Sequence, residues 1–169
     1  MSYYIIIRGP LGSGKTTISK KLSNILNAEH IAIDDIIDEY NLANDKEDDY
    51  ISQKSFIEAN EIAIGKAKEI LESGKPVIFD GNFYWESQID DLLSRLDFPH
   101  YIFTLKATLE LCIERDSKRE IPHGQIAAEV VYNKTTEFDR GTLIDTTGSI
   151  EDSIGKMMIQ IQTDHRRII

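Results

Sequence analysis

Residues Gly9 to Thr17, read as "GPLGSGKTT", place glycines at 9, 12 and 14 directly before a lysine and a hydroxyl, satisfying the spacing G-x4-G-K-[ST]. Glycines so spaced let consecutive backbone N–H groups turn inward as a nest for an anion, and a helix starting behind the bend adds partial positive charge. Lys15 can then reach the outer phosphates of a nucleoside triphosphate, and the Thr16 hydroxyl can ligate Mg2+. The context this chemistry needs is present, with the apolar run "YYIII" before the bend and an amphipathic segment after it. The triphosphate should therefore sit on Gly9, Leu11, Gly12, Ser13, Gly14, Lys15, Thr16 and Thr17.

Other residues decide between hydrolysis as a switch, a motor stroke and transfer to a second molecule. A guanine-reading switch needs N-K-x-D and D-x-x-G. "NKTT" (Asn133–Thr136) lacks the aspartate, and "DTTG" (Asp145–Gly148) lies too near the C-terminus for a base-reading strand to follow. A motor needs a larger domain and a partner's arginine. Transfer gains from three stretches. "PVIFDGNF" puts Asp80 at the end of an apolar run, where an aspartate can hold the water shell of Mg2+, or serve merely as a turn or cap residue. "IAIDDIIDEY" puts Asp34 at the end of another run, placed to take or orient a hydroxyl proton; Asp35 could do the same, and either could cap the next helix. "ERDSKR" spaces Arg115 and Arg119 four apart, on one face if helical. Two like charges there destabilise an isolated helix by about 0.2–0.5 kcal/mol. A phosphate between them reverses that sign; alternatively Glu114, Asp116 and Glu120 neutralise a solvated helix.

These groups need a scaffold that brings them to one edge. The apolar runs Tyr3–Ile7, His30–Ile33, Pro76–Phe79, His100–Leu105 and Thr142–Ile144 alternate with helix-length amphipathic segments, the pattern of a parallel α/β sheet. Helices are predicted at about 15–26, 35–41, 50–73, 85–95, 108–120, 124–138 and 149–162. In the third, Phe56, Ala59, Ala63, Ala67, Ile70 and Leu71 recur every three or four residues, and Gly74 and Pro76 mark its end. Ser149 and Asp152 have capping-box spacing. "NDKEDD" (Asn44–Asp49) reads as a polar loop or as a flap beside a substrate. In parallel α/β sheets ligands bind beyond the C-terminal strand ends, which is where Asp34 and Asp80 fall.

The chain of 169 residues suits one domain, and its net charge of −10 disfavours a long nucleic acid as partner. No apolar stretch has the length of a membrane span, and the start lacks a basic leader or cleavage site, so a cytoplasmic protein is expected. Cys112, the only cysteine, is expected to pack; Arg140 is a further candidate for the anion, or else lies solvated at the surface. Oligomeric state, monomer or homodimer, is left open.

In order along nearly the whole chain, "RGPLGSGKTT", "IAIDDII", "VIFDGNF", "CIERDSKR" and "GTLIDTTGS" resemble the small P-loop kinases. The resemblance is greatest to the group of polynucleotide 5′-hydroxyl kinases, zeta toxins, chloramphenicol phosphotransferase and the gluconate and shikimate kinases. It implies a three-layer P-loop fold with a five-stranded parallel sheet, adenylate-kinase-like, and ATP with Mg2+ as donor. It further implies a short lid at about 115–124 carrying Arg115 and Arg119, an adenine contact near Thr146 and Thr147, and Asp34 as the hydroxyl-activating residue. A flap at about 38–55 would flank the acceptor. The expected activity is γ-phosphoryl transfer from ATP to a hydroxyl of a small acceptor. A nucleoside, nucleotide or 5′-hydroxyl nucleic-acid kinase is the nearest alternative, and a slowly hydrolysing regulatory module the alternative of another class. Polynucleotide kinases carry an arginine soon after the activating aspartate, whereas Asp35, Ile36, Ile37 and Asp38 follow Asp34. Nucleotide kinases often carry one after Asp-Gly, where Asn82, Phe83, Tyr84 and Trp85 stand here; these aromatics could stack on a flat acceptor or join the core.

Overall fold

The run "YIIIR" forms strand β1 (Tyr4–Arg8), buried along its whole length, which only a central strand covered on both faces can be. The computed structural model describes residues 2–167, with side chains through Thr163. On one side of β1 lies β5 (Val77–Gly81), and beyond it β2 (Glu29–Ala32). On the other lie β6 (His100–Lys106) and then β7 (Thr142–Asp145). All pairings are parallel, in the order β2-β5-β1-β6-β7.

Alternate residues feed two apolar layers. Ile5, Ile7, Ile78 and Phe103 pack with Ile18 and Leu22 of α1 (Lys15–Leu26) and Met157 of α7 (Ile150–Arg167). Tyr4, Ile6 and Phe79 pack on the other face, against α2 (Ile33–Glu39), α3 (Gln53–Glu72) and α4 (Glu86–Arg95). The α3 face is the one its periodicity predicts, with Phe56, Ala59, Ala63, Ala67 and Leu71 buried. It ends in a Schellman motif: Gly74, at φ 90°, and Lys75 donate to the Leu71 and Ile70 carbonyls. At the start of α7 the Ser149 Oγ accepts the Asp152 N–H, as its capping spacing predicts. Two further helices, α5 (Leu109–Ser117) and α6 (Gln125–Thr135), flank the loop 118–124.

Three differences from the sequence reading bear on the site. The predicted helix 50–73 begins at Gln53, because Lys46–Glu47 (β3), in the stretch read as loop, and Tyr50–Ile51 (β4), in the stretch read as helix, form an antiparallel hairpin. Asp48 and Asp49 turn it at φ 50° and 66°, positive at both central residues as a type I′ turn requires. Asp34 does not end a strand. The strand stops at Ala32, which caps α2, and Asp34 and Asp35 lie in that helix's first turn, where its dipole favours carboxylates. Finally, α5 ends at Ser117, so Arg115 and Arg119 do not share one helix face; Arg119 belongs to the loop beyond. Among the described residues no helix is long and apolar enough to cross a membrane.

Candidate active site

The bend between β1 and α1 is held by Ser13 N–H donating to the Pro10 carbonyl and Ile18 N–H to that of Gly14. Gly12 and Gly14 sit at φ 76° and 93°, a region costly for any residue with a Cβ. Gly12 has a second reason to be glycine: an added Cβ would lie 2.1 Å from the Cys112 carbonyl oxygen. The bend therefore rests directly on the backbone of α5. Cys112 itself is fully buried, and burial pushes its thiol up, which fits packing. Lys15 is buried with its Nζ 3.4 Å from the Pro10 carbonyl, folded over the loop, while Thr16 and Thr17 are exposed at the helix start.

A cavity of about 300 Å³ opens beside this bend. Gly12, Ser13 and Gly14 form one wall, and Arg115, Arg119 and Thr146 contribute another. Thr146 ties the walls together. Its hydroxyl donates to the Ser13 carbonyl at 2.9 Å, and its own carbonyl accepts from the Arg115 guanidinium at 2.6 Å. Thr147 is exposed at the side, its N–H donating to Asp145. Thus the bend, both arginines and Thr146 converge although α5 ends between the arginines.

A second group gathers at the same sheet edge. Asp80 is buried, with Oδ2 3.1 Å from His30 Nε2 and Oδ1 without a protein partner. Asp34 is partly accessible, and burial pushes its carboxyl up to about 6. The Lys15 ammonium pulls it back, while Asp80, Asp35 and Asp38 add to the rise. Asp34, Lys15 and Asp80 thus form one coupled electrostatic group. Mg2+ fits here as an ion brought in on a triphosphate. Among the described residues no cluster of three or more His, Cys, Asp or Glu could hold a metal. An ion carried by phosphates needs only one or two protein ligands, and the unpartnered Asp80 Oδ1 is a buried oxygen of the right type.

Phe83 and Tyr84 are buried and Trp85 half-buried. The rings pack mainly on protein: Tyr84 meets Phe56 and Tyr50 edge-on or tilted, and the Lys134 ammonium lies 4.1 Å above the Trp85 ring. The Trp85 Nε1 donates to the Ile51 carbonyl, locking the β3–β4 hairpin to this cluster. Arg140 pairs with Asp90 at the surface.

Sequence reasoning assigned no role to His30, Arg8 or Lys134. His30 is brought to Asp80 only by strand register. In parallel register Ala32 faces Asp80, and His30, two residues before, shares that face. Arg8 had only its position, directly after "YYIII" in a fully buried strand. Its side chain is fully buried and donates to the Phe83, Phe138 and Thr135 carbonyls and the Thr104 hydroxyl. Desolvation lowers its pKa to about 10. Lys134 had a local signal only for its ion pair with Glu137, not for its contacts with the Tyr50 and Trp85 rings, which lie far away in sequence.

A family model described as "AAA domain" matches residues 5–140. The chain belongs to this family. A protein named "Putative adenylate kinase" from Methanocaldococcus jannaschii is 36% identical to this AAA-domain chain over 146 residues, covering 86% of it and 73% of the relative. A solved sugar kinase from Janibacter superposes with TM-score 0.79 at 18% identity, over 96% of this chain and 95% of that one. A gluconokinase from Sinorhizobium meliloti gives 0.66 at 12% identity, over 95% and 96%. At such identities the structural likeness speaks for the fold: an α/β P-loop fold with a five-stranded parallel sheet. This AAA-domain chain is a small P-loop kinase.

Proposed function

We propose that the protein is an ATP-dependent phosphotransferase that moves the γ-phosphoryl group of ATP to a hydroxyl of a small acceptor. The observation that carries this reading is the coupled group of Asp34, Lys15 and Asp80 at the sheet edge beside the arginine-lined cavity. Backbone N–H groups from Gly12 to Thr17 and the Lys15 ammonium cradle the β- and γ-phosphates. Thr16 and Asp80 would hold Mg2+, which when bound offsets charge on those phosphates. Asp34 accepts the acceptor's hydroxyl proton as its oxygen bonds to phosphorus and the bond to the ADP oxygen breaks. Arg115 and Arg119 oppose charge on the transferred group, and Thr146 and Thr147 lie where the adenine end would rest. Positioning and charge stabilisation supply most of the acceleration.

An acceptor without a phosphate, such as a polyol, sugar or nucleoside, fits best. No arginine stands within four residues after Asp34 or after the Asp80-Gly81 pair, and the arginine nearest the bend in sequence, Arg8, is already committed to protein oxygens. A nucleotide acceptor is the second reading, favoured by the name of the archaeal relative. Measuring ADP release against panels of sugars, polyols, nucleosides, nucleoside monophosphates and 5′-hydroxyl oligonucleotides separates them. An uncharged hydroxyl compound should raise turnover at least about tenfold, a loss of roughly 1.4 kcal/mol in barrier. Stimulation by monophosphates alone would establish the second reading. If no acceptor stimulates and Asp34→Asn leaves basal hydrolysis unchanged, the protein is a regulatory module and the proposal is wrong.

A further inference from the structure

Asp116 lies in the last turn of α5 between the two arginines, and it is 1% exposed although the residues after it are exposed. A buried carboxylate persists only where its oxygens are satisfied. Both are satisfied from the loop that follows. Oδ2 accepts the Gly124 N–H at 3.0 Å, and Oδ1 lies 2.9 Å from His123 Nδ1. Since a carboxylate only accepts, the imidazole proton sits on Nδ1 and points at Asp116. The 3.4 Å approach of Arg119 to that same nitrogen is then proximity rather than a hydrogen bond. Arg119 Nε stands 3.5 Å from Oδ1. One buried carboxylate thus gathers the start of the loop, its end, and the cap of α6.

We propose that Asp116 is a positioning residue, a clasp that closes the 118–124 loop and so holds Arg119 in the wall of the nucleotide cavity. Desolvation opposes its ionisation, but the His123 and Gly124 hydrogen bonds and the Arg119 charge outweigh that and keep its carboxyl below the ordinary range. Beyond the exposed Lys118–Glu114 pair and the Arg119 N–H on the Asp116 carbonyl, the loop has little else to hold it, since Ile121 is 83% exposed. With few apolar contacts its order depends on the carboxylate. The inference rests on the reading that Arg119 contacts the triphosphate of ATP.

Trypsin provides a readout independent of any acceptor, because Lys118 and Arg119 are exposed cleavage sites inside the loop. Wild type, Asp116→Ala, Asp116→Asn, His123→Ala and Arg119→Ala are compared for cleavage at these sites, for affinity toward AMPPNP with Mg2+, and for thermal stability. In Asp116→Ala, cleavage should rise at least about fivefold and analogue affinity fall about tenfold, with little change in melting temperature. Asp116→Asn keeps an acceptor for the Gly124 N–H and should be intermediate, a rescue that a role in bulk stability alone would not produce. His123→Ala alters only an exposed side chain and should loosen the loop by about threefold even if Asp116→Ala folds poorly. Wild-type cleavage and affinity in the Asp116 and His123 variants would overturn the clasp while leaving the kinase reading intact. Unchanged affinity in Arg119→Ala would remove the reading beneath it, and the clasp with it.

Discussion

Asp34 carries two opposed demands. As an acceptor of a hydroxyl proton it must be ionised, yet its surroundings raise its pKa from 3.8 to about 6. Turnover should therefore rise with pH through about 6 with the slope of one proton, and a pH–rate profile checks this. A flat profile between pH 5 and 7.5 would exclude Asp34 as the group that takes the proton. The same shift bears on stability. The folded chain holds this proton more tightly than the unfolded chain, so stability declines as pH rises from about 4 to about 6, and the full penalty applies above that. Asp34→Asn should lose turnover yet gain on the order of 1–2 kcal/mol at pH 7, measurable by urea denaturation. Lys15 works in the opposite sense. Lys15→Ala should reduce transfer by a factor on the order of 10²–10³ while the fold persists, and near-wild-type activity would sink the proposed mechanism. Lys15, Thr16, Asp34 and Asp80 could be singled out because residue type and spacing mark them; the roles given to them belong to the proposed mechanism. His30 could not be, because its partner is 50 positions away and only strand register brings the two together.

At the scale of elements, boundaries were the least legible. The motif spacing of Arg115 and Arg119 suggested a continuing helix, but the buried Asp116 directs its side chain to Gly124 and the chain leaves the helix at Ser117. In "NDKEDD" two aspartates accept left-handed backbone conformations and make a turn where charge alone suggested a loop. The helix α6 illustrates how one element is fixed from a distance. Arg8 grips the carbonyls of Thr135 and Phe138 at its C-terminal end, and its guanidinium lies 4.2 Å from the Phe138 ring. Arg8→Met should destabilise the fold by about 3 kcal/mol, because several buried oxygens lose their donor. Arg8→Lys, unable to reproduce the planar fork, should recover only part of this. Chemical denaturation of the two variants tests both points.

Over the whole molecule, the parallel sheet and its two apolar layers follow from the buried runs and amphipathic helices, which are legible in the sequence. The sheet order came only with the structure, since periodicity does not say which strand neighbours which. The contact between Gly12 and the Cys112 carbonyl joins two stretches 100 positions apart, and Gly12→Ala should abolish AMPPNP binding or folding because the obstruction is backbone. That contact also sets how these two positions can vary among relatives. No replacement at position 112 removes its carbonyl, so no compensating partner for a larger residue at position 12 exists. Glycine should stay fixed at the first position while the second drifts among small apolar residues, and correlated substitution would be blind to one of the closest approaches in the protein.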